Sequence, residues 1–259
     1  MNAVAEDFLA PIRQWRVWWL LGAQDIRMRY RRSAIGPFWI SLSMATLVIG
    51  IGFLYSGIFS LEFKPYLAWL ATSFLVWNVV SAALIEGCGA LVDAESHLKS
   101  SRIAVPLYAA RVAWRTTLVF LHNLLVIMLV LLYCDVETGF TVLLAAPGYL
   151  LLTAFVFLAS VIMGPLTLRF RDVKQIMASI VQIMFFVTPI IWMPDQGRVP
   201  SLMIEGNPLY HLIEIVRAPL LGTPPTLLNW SVSIAMIAAM TLLALLSDAM
   251  SRRKVFLWL

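Results

Sequence analysis

Apolar residues in this chain gather in long runs, not in the alternating or three-and-four spacing of a soluble fold. Six runs come close to or exceed the roughly 20 residues that a helix needs to cross a hydrocarbon core of about 30 Å. They lie at about 35–59 (IGPFWISLSMATLVIGIGFLYSGIF), 66–91, 106–133, 141–168, 175–193 and 227–247. Because no water inside a bilayer can satisfy backbone N–H and C=O groups, runs of this length are expected to be helices. The expected fold class is an all-α integral membrane protein with six transmembrane helices, the third and fourth long enough to tilt or protrude.

Two segments outside the runs have patterns of their own. Residues 11–33, PIRQWRVWWLLGAQDIRMRYRRS, place Trp15, Trp19, Ile26 and Tyr30 along one helical face, with Arg13, Arg16, Gln24, Arg27 and Arg31 roughly opposite. Leu21, Met28 and Arg29 interrupt the stripe. The pattern predicts an amphipathic interfacial helix at the headgroup level, followed by a turn at Gly36-Pro37 into the first span. The second segment is 194–226, whose centre NPLYHLIEIVRAPLLG is helical in pattern but too short and too charged to span. It predicts a re-entrant or outer-surface helix before the last span. The chain thus divides into an N-terminal segment 1–33, a transmembrane domain 34–248 and a basic tail 249–259.

Composition sharpens this picture. At 61% hydrophobic and 13% charged residues, with a mean hydropathy of +0.86, a soluble globular domain is excluded. The net charge of +5 then reads as sorting of basic residues across a membrane, and no nucleic-acid partner is expected. With the N-terminus inside, sixteen of the 19 Lys and Arg fall on the cytoplasmic side. Only Lys64, Arg198 and Arg217 lie outside, where the connection CDVETG is acidic. Both termini are expected inside. The opening MNAVAEDFLAPIR carries acids where a signal peptide has a basic region, so no cleavable signal is expected.

The chemistry that is missing is also informative. No GxxxxGK[ST] loop occurs, so an ATP-driven engine would have to be another chain. His97, His122 and His211 fall on a loop, in a span and outside, and no metal site is expected. Cys88 and Cys134 read as packing residues. No charge stands convincingly at mid-bilayer, where it would cost about 2.5 to 3.5 kcal/mol. Glu86 lies near the cytoplasmic interface, and Arg111 and Arg115 occupy the first turns of the third span, positioned to snorkel. Asn78, His122, Asn123 and Gln182 are the polar residues nearest mid-span and are expected to bond neighbouring helices. The lack of a buried carboxylate relay favours an external energy source.

Four segments in order, QDIRMRYRRSAIGPFW, DAESHLKSSRIAVPLYAAR, LRFRDVKQI and NPLYHLIEIVRAPL, resemble the type-2 ABC export permeases, specifically the branch that exports O-antigen, capsule and teichoic-acid polymers. The likeness runs over essentially the whole chain. It implies an ABC type-2 exporter (type V) fold in the bacterial cytoplasmic (inner) membrane, working as a homodimer with two copies of a cytoplasmic ABC ATPase that bind ATP and Mg. It implies no cofactor and no catalytic site in this chain. The substrate would be an undecaprenyl-pyrophosphate-linked polysaccharide, moved through a channel at the dimer interface.

Candidate sites follow from the residues and the resemblance together. Arg27, Arg29, Tyr30, Arg31 and Arg32 form a cationic patch suited to a lipid phosphate, or serve only as a topogenic signal. Phe38, Trp39, Phe53, Tyr55 and Phe59 in the first span, with Phe185, Phe186 and Trp192 in the fifth, could line a sugar path, or form ordinary interface belts and packing. The loops 93–103 and 169–175 carry Asp93, Glu95, Lys99, Arg102, Arg171 and Asp172. The resemblance makes them coupling contacts for the ATPase; as plain loop charges they would only be solvated. Glu205, His211, Glu214 and Arg217 mark an outer gate, with Glu214 and Arg217 spaced to pair. Two other readings stay open: an ABC-2 permease for a drug or another lipid, and a membrane-embedded lipid- or glycan-modifying enzyme.

Overall fold

A computed structural model describes residues 2–95, 98, 104–194 and 200–258. Among these residues every regular element is helical. Two helices, α1 (Asn2–Arg13) and α2 (Trp15–Arg29), precede α3 (Phe38–Phe59), α4 (Phe63–Gly89) and α5 (Val105–Tyr133). A 3-10 turn (Gly139–Leu144) leads into α6 (Ala145–Arg169), and α7 (Val173–Val187), α8 (Ser201–Glu205), α9 (Pro208–Leu220), α10 (Leu227–Ser251) and α11 (Val255–Trp258) complete the described chain.

Among the described residues five segments are long and apolar enough to cross a membrane: Phe38–Phe59, Phe63–Gly89, Val105–Tyr133, Gly139–Arg169 and Leu227–Ser251. The expected run at 175–193 behaves differently. Helix α7 has 15 residues, about 22 Å of rise, which falls short of a 30 Å core. It ends because Thr188, which precedes Pro189, is held in extended backbone at φ −86 and ψ 139. Apolar composition runs on past this break, so hydropathy alone overstates the helix.

Helix α4 is the axis of the bundle, packed against α3, α5, α6, α7 and α9. Along 70–80 every residue but Asn78 is buried, because small side chains such as Ala71, Thr72 and Ser73 let neighbouring helices close on several sides. Helix α6 uses the same device at Gly148, where a Cβ would run into the Ile215 carbonyl of α9. The outward sides of α3 and α10 keep large apolar side chains exposed, among them Phe53, Leu54, Ile58, Leu242 and Leu246. That is surface for a bilayer or another apolar partner to cover.

The N-terminal pair is fixed to this bundle. The chain breaks between α1 and α2 at Gln14, and Trp18 Nε1 donates to the Pro11 carbonyl across the break at 2.8 Å. Helix α2 lies against α5. Its Gly22 permits the approach, since a Cβ there would come within 2.8 Å of Trp114 Cδ1 and 3.1 Å of the Arg111 carbonyl. Trp19 stacks on Trp114 with centroids 3.8 Å apart, and Ile26 is buried. The expected face of Trp15, Trp19, Ile26 and Tyr30 is therefore not presented as a unit to lipid: part of it is used for docking on α5. Beyond α2, Gly36 takes φ +58, a left-handed value that suits glycine, and donates its N–H to Ser33 Oγ at 3.2 Å. Pro37 then starts α3, so the turn falls where the sequence places it.

Candidate functional site

At the α2 end of the bundle a chain of alternating charges joins three helices. Asp25 of α2 accepts from Arg111 Nε at 2.8 Å and Nη2 at 2.5 Å, and from Arg115 Nη1 at 3.0 Å. Arg115 also reaches Glu86 of α4, with Nε to Oε2 at 3.0 Å, and Arg29 closes the chain on Glu86 at 3.4 Å. Arg111 and Arg115 are one helical turn apart and so project from the same face of α5. The expectation that they snorkel is corrected: their side chains are only 12% and 10% exposed and face Asp25, not the water layer. Burial alone would push the Asp25 carboxyl up. The Arg111 and Arg115 guanidiniums more than cancel this and hold it below the usual 3.8.

This lock divides the basic patch. Arg29 spends one nitrogen on Glu86 while its side chain remains half exposed. Arg27, Arg31 and Arg32 are exposed and form no ion pair among the described residues, and Tyr30 is half-buried. Arg27 lies in the last turn of α2 and Arg31 and Arg32 follow just beyond it; a free guanidinium can give two parallel N–H bonds to an anion such as a phosphate.

The aromatic candidates separate by exposure. Phe38, Trp39, Phe53 and Phe59 stand out from α3, with Phe53 77% exposed, whereas Tyr55 is half-buried against the core and touches Phe59 at 5.6 Å. On α7, Phe186 is exposed. Phe185 instead packs against Phe74 and Trp77 of α4, with centroids 5.5 and 5.7 Å away. Trp192 folds back and donates its indole N–H to the Phe186 carbonyl at 3.1 Å. Four rings of α3 and one of α7 are therefore accessible, and Phe185 is engaged in packing.

The two loops named from the sequence meet. Glu95 Oε2 lies 3.4 Å from Arg171 Nη2, which places 93–95 beside 169–172 at the same end of the bundle as Arg29. Asp93 and Asp172 are exposed. Lys99 and Arg102 lie outside the described residues, as do His97 and Arg198.

At the far end, the outer segment is less exposed than its charges suggest. Helix α9 starts at Asn207, which accepts from the Leu209 N–H at 3.0 Å and donates to Thr188 Oγ1 at 2.9 Å. Glu214 and Arg217 do pair, with Arg217 Nε 2.8 Å from Glu214 Oε2. The pair is not an exposed one, because Arg217 is fully buried. Its guanidinium lies 3.6 Å over the Trp69 ring and donates to Ser73 Oγ at 2.9 Å and the Pro189 carbonyl at 2.6 Å. His211 is also buried, between Asn229 Oδ1 at 2.8 Å and the Glu205 carbonyl at 2.7 Å. These side chains tie α9 to α4, α10 and the stretch after α7, while Glu205 remains exposed.

Sequence reasoning passed over Asp25, Trp114 and Thr116. An acid inside a run of arginines, followed much later by two arginines four residues apart at the start of a span, was the available signal for the lock.

Comparison with known proteins places the chain. Residues 16–221 match the family described as ABC-2 type transporter. The chain is similar to an O-antigen export system permease protein RfbA of Myxococcus xanthus, 22% identical over 200 residues that cover 75% of this chain and 76% of that protein. It is also similar to proteins of the same description from Klebsiella pneumoniae. One is 23% identical over 200 residues, covering 73% of this chain and 74% of the relative; another is 23% identical over 197 residues with the same shares.

Proposed function

Since the chain belongs to the ABC-2 type transporter family, we propose that it is the membrane permease subunit of an ATP-driven exporter that carries a lipid-linked polysaccharide across the bacterial cytoplasmic membrane. The observation that carries this reading is the agreement between the relatives' O-antigen export role and an α2 end on which Arg27, Arg31 and Arg32 stay exposed beside a ring-rich span. A lipid pyrophosphate meets guanidinium donors there, and the attached sugars meet aromatic faces, which pack on pyranose C–H groups.

In this reading the Arg29 end is cytoplasmic, in keeping with the sorting of basic residues. Helix α7 and the residues that follow it make the sixth crossing, with α9 returning from the outer side. Two copies pair so that the exposed rings of α3 and α7 border a shared path. The Glu95–Arg171 contact supports a shared docking surface on which Asp93 and Asp172, and by the resemblance Lys99 and Arg102, meet two copies of an ATPase that binds ATP and Mg. No step of ATP chemistry falls on this chain; its part is to bind, orient and pass the substrate.

The test is depletion of the permease in its host with polymer synthesis left running. Lipid-linked polymer should accumulate on the cytoplasmic leaflet while surface polymer disappears, and a tagged permease should carry an ATPase subunit through purification. Normal surface polymer after depletion, or a permease that never binds an ATPase, refutes the reading.

A further inference from the structure

Beneath Arg29 a partly enclosed cavity of about 180 Å³ enters the bundle between α4 and α5. Its lining runs from the Arg29–Glu86 pair at one end to Asn78, Thr116 and Asn123 further along the two helices. Glu86 and Asn78 are eight residues apart on one helix, so the cavity reaches about 12 Å from the interface toward mid-bilayer. Polar groups at that depth are placed at a cost and ask for partners. Here partners are missing among the described residues: Thr116 Oγ1 and Asn123 Oδ1 make no hydrogen bond there, although both residues are at least nine-tenths buried. Among the described residues the Asn78 side chain bonds only the Met44 sulfur, at 3.7 Å, and Asn78 is the one accessible residue of 70–80.

We infer that this cavity is a sugar subsite, taking the single neutral sugar ring next to the phosphate of a lipid-linked substrate. The inference rests on the polysaccharide-export reading. Chemistry selects among occupants. A phosphate inside the cavity would face the Glu86 carboxylate and the Asn123 carbonyl oxygen. A cation would face Arg29, with Arg115 just behind Glu86. A neutral ring rich in hydroxyls suits the set, because each hydroxyl both donates and accepts. Glu86 and Asn123 Oδ1 accept, Arg29 donates, and Thr116 Oγ1 and the Asn78 amide can do either. The rest of the wall is apolar, and Phe120, stacked on Tyr149 at 4.1 Å, gives it an aromatic group. The phosphate then stays outside on Arg27, Arg31 and Arg32. The size admits one ring and not a chain, so the subsite reads the sugar nearest the lipid and leaves the rest of the polymer free to differ.

The test measures binding to the purified full-length permease in detergent, by native mass spectrometry. The probes are polyprenyl pyrophosphate without sugar and the same lipid carrying one glucose, galactose or mannose. At least one sugared lipid should bind roughly tenfold more tightly than the bare lipid, as a few added hydrogen bonds imply. Asn123→Leu and Thr116→Val should abolish that difference and leave bare-lipid affinity unchanged, while Thr116→Ser should keep it. Equal binding of bare and sugared lipid by the native protein overturns the subsite and spares the exporter. So does a preference that survives in variants whose bare-lipid binding shows them folded. Failure to bind either lipid removes the lipid-linked substrate itself, and the subsite with it.

Discussion

Asp25 and Arg217 are the residues on which most depends, because each is a charge held out of water by specific partners. Removing one member of such an arrangement leaves the other uncompensated, at a typical cost of about 3 kcal/mol. Asp25→Asn should therefore loosen α2 from α5, and limited trypsin digestion should show faster cleavage after Arg27 and Arg29. The pH dependence follows from its depressed pKa. A carboxyl ionised more readily in the folded than the unfolded chain favours docking at every pH above its unfolded value, and loses this only as pH falls through the lower folded value. Protection of α2 should be flat between about pH 5 and 8 and fail only in strong acid, below the ordinary carboxylate range. Arg217→Met should lower the thermal midpoint by several degrees, consistent with a loss of about 3 kcal/mol, and Arg217→Lys should restore only part of it. The exposed Lys64–Asp135 pair, 2.6 Å long, should by contrast be replaceable without measurable effect.

Helices α2 and α9 show which features of an element its sequence reveals. Both were legible as helices outside the main spans, from a broken amphipathic stripe in one and a short charged segment between prolines in the other. Their surroundings were not legible. A stripe of Trp and Ile looks the same whether it meets lipid or a neighbouring helix, and it is Gly22, facing Trp114, that decides. Likewise Glu214 and Arg217 at i and i+3 look like a surface pair until Trp69, Ser73 and Pro189 are brought round them from distant parts of the chain. The spans were easier, because length and hydropathy suffice for α3, α4, α5, α6 and α10. For α7 they misjudged the length, since the helix is stopped by one residue pair, Thr188-Pro189, and not by a change of composition. Gly22→Leu supplies the corresponding test. With no room for the side chain, α2 should undock as it does in Asp25→Asn, Trp114 fluorescence should shift toward that of exposed indole, and helix content by circular dichroism should be nearly unchanged. An unmoved emission maximum would show that α2 is not held by this contact.

At the scale of the whole molecule, the lock at Asp25 and the loop contact at Glu95–Arg171 lie at one end of the same central helix, α4, whose Trp69 and Ser73 toward the other end hold the buried Arg217 of α9. An axis fixed at both ends can carry a displacement of the loops to the α2 end, as the proposed drive by a separate ATPase requires. The central claim is that Arg27, Arg31 and Arg32 are left unpaired in order to hold a lipid phosphate. It is tested most directly by one measurement: polysaccharide at the cell surface, quantified at equal permease level, in a strain whose only permease carries Arg27, Arg31 and Arg32 all changed to Gln. The variant keeps Arg29, Asp25 and the two α5 arginines, so α2 should stay docked. Surface polymer should fall at least tenfold, an effect of the size that several lost charge-assisted phosphate contacts imply, with the ATPase subunit still bound. Undiminished surface polymer in that strain would contradict the account and leave these arginines as a sorting signal alone.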